Sequence, residues 1–236
     1  NCTSCHMPKS TSTDIMHVSI TDHKIGVHKQ NNKEKGAFKG LVSINNEHPT
    51  YLSKAKAYLK HYESFEANPI YLDSAFYFLQ KTDSYFPAYV QYFYLKQDDK
   101  GLINFVMNNE VDAIKYSNTD LAMAYSRIGE VFAKNNMNRN AKKYFEQAIE
   151  LMPFVIDYRI KQGVFLLKQK QLKASKIVFT DALVLNPTIK EIHLNLGYVS
   201  LLEHDLEKAE LYLKQALAID PDYILAYENL VLLAQA

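Results

Sequence analysis

Residues 156–189 read IDYRIKQGVFLLKQKQLKASKIVFTDALVLNPTI, and the same design stands on either side of them. Upstream, 122–155 read AMAYSRIGEVFAKNNMNRNAKKYFEQAIELMPFV; downstream, 190–223 read KEIHLNLGYVSLLEHDLEKAELYLKQALAIDPDY. Aligned at a period of 34, they place Gly129, Gly163 and Gly197 in one column and Pro153, Pro187 and Pro221 in another. Ala148, Ala182 and Ala216 form a third, Ala141, Ser175 and Ala209 a fourth, and Phe145, Phe179 and Leu213 a fifth. A fixed period of this length marks stacked supersecondary units, none of which buries its apolar face alone. The columns have physical causes. Glycine in the first helix of a unit lets the second helix approach closely, and the small residue at 141, 175 and 209 does the same from the second helix. The aromatic or leucine four residues on lies along the same interior stripe. The proline is expected to end the loop after the second helix and open the next unit, where a missing N–H costs nothing. Asn135–Asn138, Gln169–Gln171 and Glu203–Asp205 read as the turns inside the units.

A 34-residue period with these residue types resembles the tetratricopeptide repeat, a helix–turn–helix unit. The resemblance implies an all-α superhelical solenoid with repeats at 122–155, 156–189 and 190–223. Residues 224–236 continue with Tyr227 and Leu230 where another first helix would lie, as a capping helix or a truncated repeat. Upstream, Ala75, Leu79 and Pro87 match the second-helix columns of a degenerate unit at 56–89, with Tyr58–Phe65 as its first helix. Residues 90–121 could hold another unit with one residue deleted, so 50–121 is expected to be helical and only repeat-like. Seventeen tyrosines and no tryptophan suit a stack that uses tyrosine for bulk. Tyr85, Tyr89, Tyr92 and Tyr94 read as core and groove filler, not as a stacking platform for bases.

In such arrays the first helix of each unit lines the inner surface. Counting from the glycines, the inward candidates are Ser126, Glu130 and Lys134, then Ile160, Val164 and Leu167, then Leu194, Tyr198 and Leu201. The last two units therefore present a largely apolar groove. A clamp for a peptide's terminal carboxylate is rejected, because Ile160 and Leu194 stand where it would want charge. Two readings stay open: a groove for a protein or peptide partner, as an apolar helix or another part of the same polypeptide, or side chains filled by neighbouring helices.

The other end of the chain carries different chemistry. Cys2-Thr3-Ser4-Cys5-His6 spells C-x-x-C-H, and Cys2 and Cys5 are the only cysteines among 236 residues. Two thiols at this spacing can each add across a vinyl group of one porphyrin, and the following histidine then lies beneath the iron. The alternatives are a structural or redox pair, or half of a zinc site for which no second strong ligand pair exists. Four of the eight histidines, His6, His17, His23 and His28, fall in the first 28 residues. Met7 would share the ring face of His6, whereas His17 and His23 are far enough along to reach the opposite face at ~3.3 Å per extended residue. His193 and His204 need only structural roles.

The run Cys2–Lys9, with Asp14-Ile15-Met16-His17 and Thr21-Asp22-His23-Lys24-Ile25 behind it, resembles multihaem c-type cytochromes that carry a C-terminal tetratricopeptide array. The resemblance implies thioether positions at Cys2 and Cys5, a proximal ligand at His6, and distal ligands at His17 and His23 to this or a neighbouring haem. It also implies earlier haem sites that are absent from this sequence. Residues 1–28 are then the end of a haem-binding domain, 29–49 a linker rich in Lys and Asn, and the chain a fragment.

The bulk composition limits the alternatives. Lys+Arg number 27 against 26 Asp+Glu, so no broad field recruits nucleic acid or anionic lipid. At 47% hydrophobic the chain can bury a core, yet no run of 18 apolar residues offers a membrane span. No P-loop, G-x-S-x-G, dinucleotide fingerprint or H-E-x-x-H is present, so catalysis would need an open haem iron. The sequence thus points to electron transfer by covalent haem c in an exported, periplasmic protein whose repeats dock a partner, a redox partner or a neighbouring haem domain. The alternative is a non-redox interaction scaffold whose Cys/His segment binds zinc or is structural.

Overall fold

The computed structural model describes residues 40–44 and 47–235. Among them the chain forms eleven α-helices and no strand. They are α1 (Tyr51–Ser64), α2 (Pro69–Leu79), α3 (Phe86–Leu95), α4 (Asp99–Asn108), α5 (Asn118–Lys134) and α6 (Asn138–Leu151). After them come α7 (Ile156–Lys168), α8 (Leu172–Leu185), α9 (Lys190–Leu202), α10 (Leu206–Ile219) and α11 (Ile224–Ala234), with a short 3-10 turn at Ala113–Lys115. Consecutive helices pair as hairpins α1/α2, α3/α4, α5/α6, α7/α8 and α9/α10. The odd-numbered helices also touch one another in series, α1 to α3, α3 to α5, α5 to α7, α7 to α9 and α9 to α11. One row of helices therefore runs unbroken along the solenoid, and Leu41–Ala236 folds as a single unit.

The glycine columns sit at the closest approach inside each hairpin. A Cβ placed on Gly163 would lie 2.5 Å from Phe179 Cε1, and one on Gly129 or Gly197 would lie 2.9 Å from Phe145 or Leu213. Phe145, Phe179 and Leu213 are fully buried, as are Ala148, Ala182 and Ala216. Ser175 adds a hydrogen bond to this contact, its hydroxyl donating to the Gly163 carbonyl at 2.9 Å. Deep burial of Phe145, Phe179 and Leu213 contributes roughly 1.5–3 kcal/mol each.

The turns repeat as well. Gln97, Asn136, Lys170 and His204 adopt φ between 58° and 60° directly after α3, α5, α7 and α9. In each turn a six-to-one bond closes the helix: Asp98 N–H to Phe93 O at 3.0 Å, Met137 to Phe132 at 2.8 Å, Gln171 to Leu166 at 3.0 Å, and Asp205 to Ser200 at 2.9 Å. These satisfy carbonyls that the helix end leaves orphaned.

One expectation is corrected. Pro153, Pro187 and Pro221 lie two residues beyond α6, α8 and α10 and three before the next helix, so they stop a helix and do not open one. Their carbonyls are used instead. Arg159 donates to Pro153 O, His193 Nε2 to Pro187 O at 2.7 Å, and Tyr227 Oη to Pro221 O at 3.1 Å. Each donor stands six residues after its proline and ties the inter-repeat loop to the helix that follows.

Upstream, α1 starts at Tyr51, where Thr50 caps the Ser53 N–H, seven residues earlier than the first helix expected from Tyr58. Ala75 and Leu79 are fully buried in α2, and Pro87 occupies the first turn of α3. Rings do the packing here: Phe76 stacks on Tyr92 at 4.8 Å and Tyr89 on Phe105 at 5.3 Å. Asp120 pins three helices, accepting from Tyr85 Oη at 2.8 Å and Lys56 Nζ at 3.0 Å. Burial and Asp120 together push the Tyr85 phenol up to about 12. Burial pushes the Asp120 carboxyl upward, but Tyr85, Lys56 and Ser117 outweigh it and hold the group below its ordinary value.

Replacing Gly163 by valine should lower stability by about 2–3 kcal/mol, since overpacking against the Phe179 ring exceeds the modest gain in helix propensity. The urea midpoint reads the loss; an unchanged midpoint would mean that the ring moves aside freely.

Candidate functional site

Helices α3, α5 and α7 leave a cleft of about 610 Å³ between them. Its floor is apolar and buried, made by Val131, Phe145 and Phe165, with Ile160 and Val164 half-buried above. Tyr94, Glu130 and Lys161 form a polar wall, and the exposed Lys134 and Lys168 stand at its rim with Gln97, Asp99 and Gln169.

The wall belongs to a ladder of polar contacts that crosses the odd-numbered helices. Glu63 on α1 accepts from Gln91 Nε2 on α3 at 2.9 Å and from Arg127 Nη2 on α5 at 2.6 Å. The Arg127 guanidinium lies over the Tyr94 ring, 5.4 Å from its centroid. Tyr94 Oη donates to Glu130 Oε2 at 3.0 Å, and Lys161 Nζ on α7 reaches Glu130 Oε1 at 2.8 Å and Asp157 at 3.0 Å. Burial and the Glu130 carboxylate raise the Tyr94 phenol above its ordinary range. Burial pulls the Lys161 ammonium down, but Glu130 and Asp157 prevail and hold it above its ordinary value. At the rim, Lys134 pairs with Asp99 at 2.7 Å, and Asn135 donates to the same carboxylate at 3.2 Å.

The residues expected to face inward divide into three groups. Glu130, Lys134, Ile160 and Val164 line the cleft. Ile160, Val164 and Leu167 also pack against the cluster of Phe179, Ile192, Leu196 and Val199, so neighbouring helices fill part of that surface. Leu194, Tyr198 and Leu201 are half-buried on α9 and lie outside the cleft, while Ser126 is buried. Cys2, Cys5, His6, His17 and His23 lie outside the described residues. Among the described residues no group of three or more His, Cys, Asp or Glu could hold a metal, and no helix is long and apolar enough to cross a membrane.

Sequence reasoning read Tyr94 only as core and groove filler, and it missed Lys161, Phe165 and Lys168. Lys161 had a signal: it shares the 34-residue column of Arg127. Both cations reach from one odd-numbered helix to a carboxylate on an earlier one.

Residues 122–154 and 190–223 match the family profile of the tetratricopeptide repeat. The fold is that of a tetratricopeptide-repeat solenoid. YrrB, described as a TPR protein with an unusual peptide-binding site, superposes with a TM-score of 0.56 at 19% identity, over 75% of this chain and 89% of that one. PilF of Pseudomonas aeruginosa gives a TM-score of 0.59 at 16% identity, over 78% of this chain and 82% of its own. No protein of curated function matches the sequence. Between the two matched segments, 156–189 has the same period, and α7 and α8 form the same hairpin there.

Replacing Lys161 by methionine should destabilise the TPR solenoid by about 1–2 kcal/mol, between the values for exposed and buried ion pairs. A double-mutant cycle with Glu130→Gln should show coupling of about 1 kcal/mol. Because folding raises the Lys161 pKa, its contribution is complete below 10.5 and fades as pH rises beyond. Zero coupling in urea titrations at neutral pH would break the ladder as a stabilising element.

Proposed function

We propose that this TPR solenoid docks an extended segment of a partner protein in the cleft between α3, α5 and α7, and that the residues ahead of it carry a covalent haem c. The docking reading rests on the apolar floor of Val131, Phe165, Ile160 and Val164 within a cleft of about 610 Å³, a volume suited to a few side chains. The wall beside it is internally paired, so a partner need not desolvate a lone buried charge there. A peptide-binding site is also what YrrB, which shares the fold, is described as having.

The haem reading rests on the donor set, which fits the group: two thiols at vinyl spacing, an adjacent imidazole and no other cysteine. Cys2 and Cys5 would hold the porphyrin, His6 would ligate the iron, and His17 or His23 would supply an axial imidazole. When bound, the group supplies a one-electron redox centre. Attachment needs reduced thiols and normally takes place outside the cytoplasm, which makes the proposed location periplasmic and the partner a redox protein. The competing reading is a non-redox scaffold whose Cys/His segment binds zinc or serves structure.

Two experiments test these halves separately. Peptides selected on the full chain from a random phage-displayed library should bind at least tenfold more weakly to a Val164→Asp variant with unaltered circular dichroism. Equal affinity would place binding elsewhere. Protein made with the c-type maturation machinery should give a pyridine haemochrome band that survives acid–organic extraction and is lost on replacing Cys2 and Cys5 by serine. A colourless product would leave the scaffold alone.

A further inference from the structure

Ile160, Val164 and Lys168 stand at i, i+4 and i+8 on α7, so they share one stripe of the helix, and all three line the cleft. The other charges lining the cleft are matched. Lys134 is held by Asp99, and Lys161 by Glu130 and Asp157. Among the described residues Lys168 pairs with no carboxylate, and its position in the last turn of α7 keeps the ammonium at the carbonyl end of that helix. Of the cations lining the cleft, Lys168 alone has no carboxylate partner among the described residues.

The feature belongs to the middle repeat. At the same place in the preceding unit stands Lys134, already paired, and in the following unit Leu202.

From this charge pattern, and resting on the docking reading above, we infer that the segment taken by the cleft is acidic as well as apolar: an extended peptide with a carboxylate two positions from an apolar side chain. One helical turn advances ~5.4 Å along α7, and two residues of an extended chain advance ~6.6 Å. For a segment running along α7, an apolar side chain seated on Val164 therefore brings the side chain two residues away to the Lys168 ammonium. A second apolar residue on the opposite flank meets Ile160. Apolar contact supplies the affinity, and the carboxylate sets register and direction.

The test uses fluorescein-labelled synthetic versions of the library-selected peptides whose binding depends on Val164, measured by anisotropy on the full chain. They should carry Asp or Glu two positions from an apolar residue. Replacing that acid by lysine should weaken binding about fivefold, the scale of an exposed charge pair, and added salt should narrow the difference. Lys168→Glu should reverse the preference, so that the lysine peptide binds better than the acidic one. Val164-dependent peptides without an acidic bias, or a Lys168→Glu variant with unaltered preference, would overturn the inference and leave docking in the cleft intact. A library yielding no Val164-dependent peptide would overturn the docking reading and this inference with it.

Discussion

The contact between Gly163 and Phe179, with its counterparts Gly129–Phe145 and Gly197–Leu213, sets the geometry on which everything else rests. A missing side chain on one helix admits a ring or leucine from its partner, at a distance a Cβ would forbid. The two helices of each hairpin are thereby fixed at one spacing, and successive hairpins stack at a common period. The unbroken row of odd-numbered helices is a consequence of that stacking, and so are the cleft between α3, α5 and α7 and the ladder crossing it. A solenoid of this kind gains its stability from nearest neighbours, so a defect in one hairpin is felt first in the two beside it.

The repeats were legible because steric columns survive in sequence: only glycine fits at 129, 163 and 197, and only small residues fit at 141, 175 and 209. Their joints were not legible, because hydrogen bonding accepts several chemistries at one place. Arginine, histidine and tyrosine at 159, 193 and 227 all donate to the carbonyl of the proline six residues earlier. Asparagine, lysine and histidine at 136, 170 and 204 all adopt the same left-handed turn. A carbonyl requires only a donor within reach, and a turn closed by a six-to-one bond tolerates a side chain that pattern-reading would not place there. His193 gains a definite tautomeric requirement from this role, since Pro187 O can only accept and Nε2 must therefore carry a proton.

The upstream half shows the converse limit. Between Tyr51 and Asn108 only Ala75, Leu79 and Pro87 match the repeat columns, and the helices are held by ring stacking and by the Asp120 clamp on Tyr85 and Lys56. Aromatic packing fixes distance without fixing residue type, so helicity could be read from apolar spacing while the start of α1 could not. The loss reached the site itself: Tyr94 stands on α3, which supplies one wall of the cleft. Of the residues expected inside the groove, Glu130 and Lys134 on α5 and Ile160 and Val164 on α7 line it, whereas Ser126 is buried, Leu167 packs on a neighbouring cluster and α9 carries its apolar side chains beyond it. Counting from glycine gives the face of a helix but not where along the row neighbouring helices leave space.

The charges beside that space are spent on one another. Arg127, Glu63, Tyr94, Glu130, Lys161 and Asp157 form a connected series from α1 to α7, and each ionic group in it is matched within the fold. If they were unmatched, the surface would demand solvent or counter-charge, and an incoming chain would lose on desolvation what it gained on contact. With the ladder closed, the floor of Val131 and Phe165 is free to act through apolar burial alone. Lys168 stands outside that closed series, at the exposed rim, where its charge adds direction at little desolvation cost. The proposed docking thus separates cohesion from recognition: paired charges join the helices, apolar side chains hold the guest, and Lys168, which pairs with no carboxylate among the described residues, orients it.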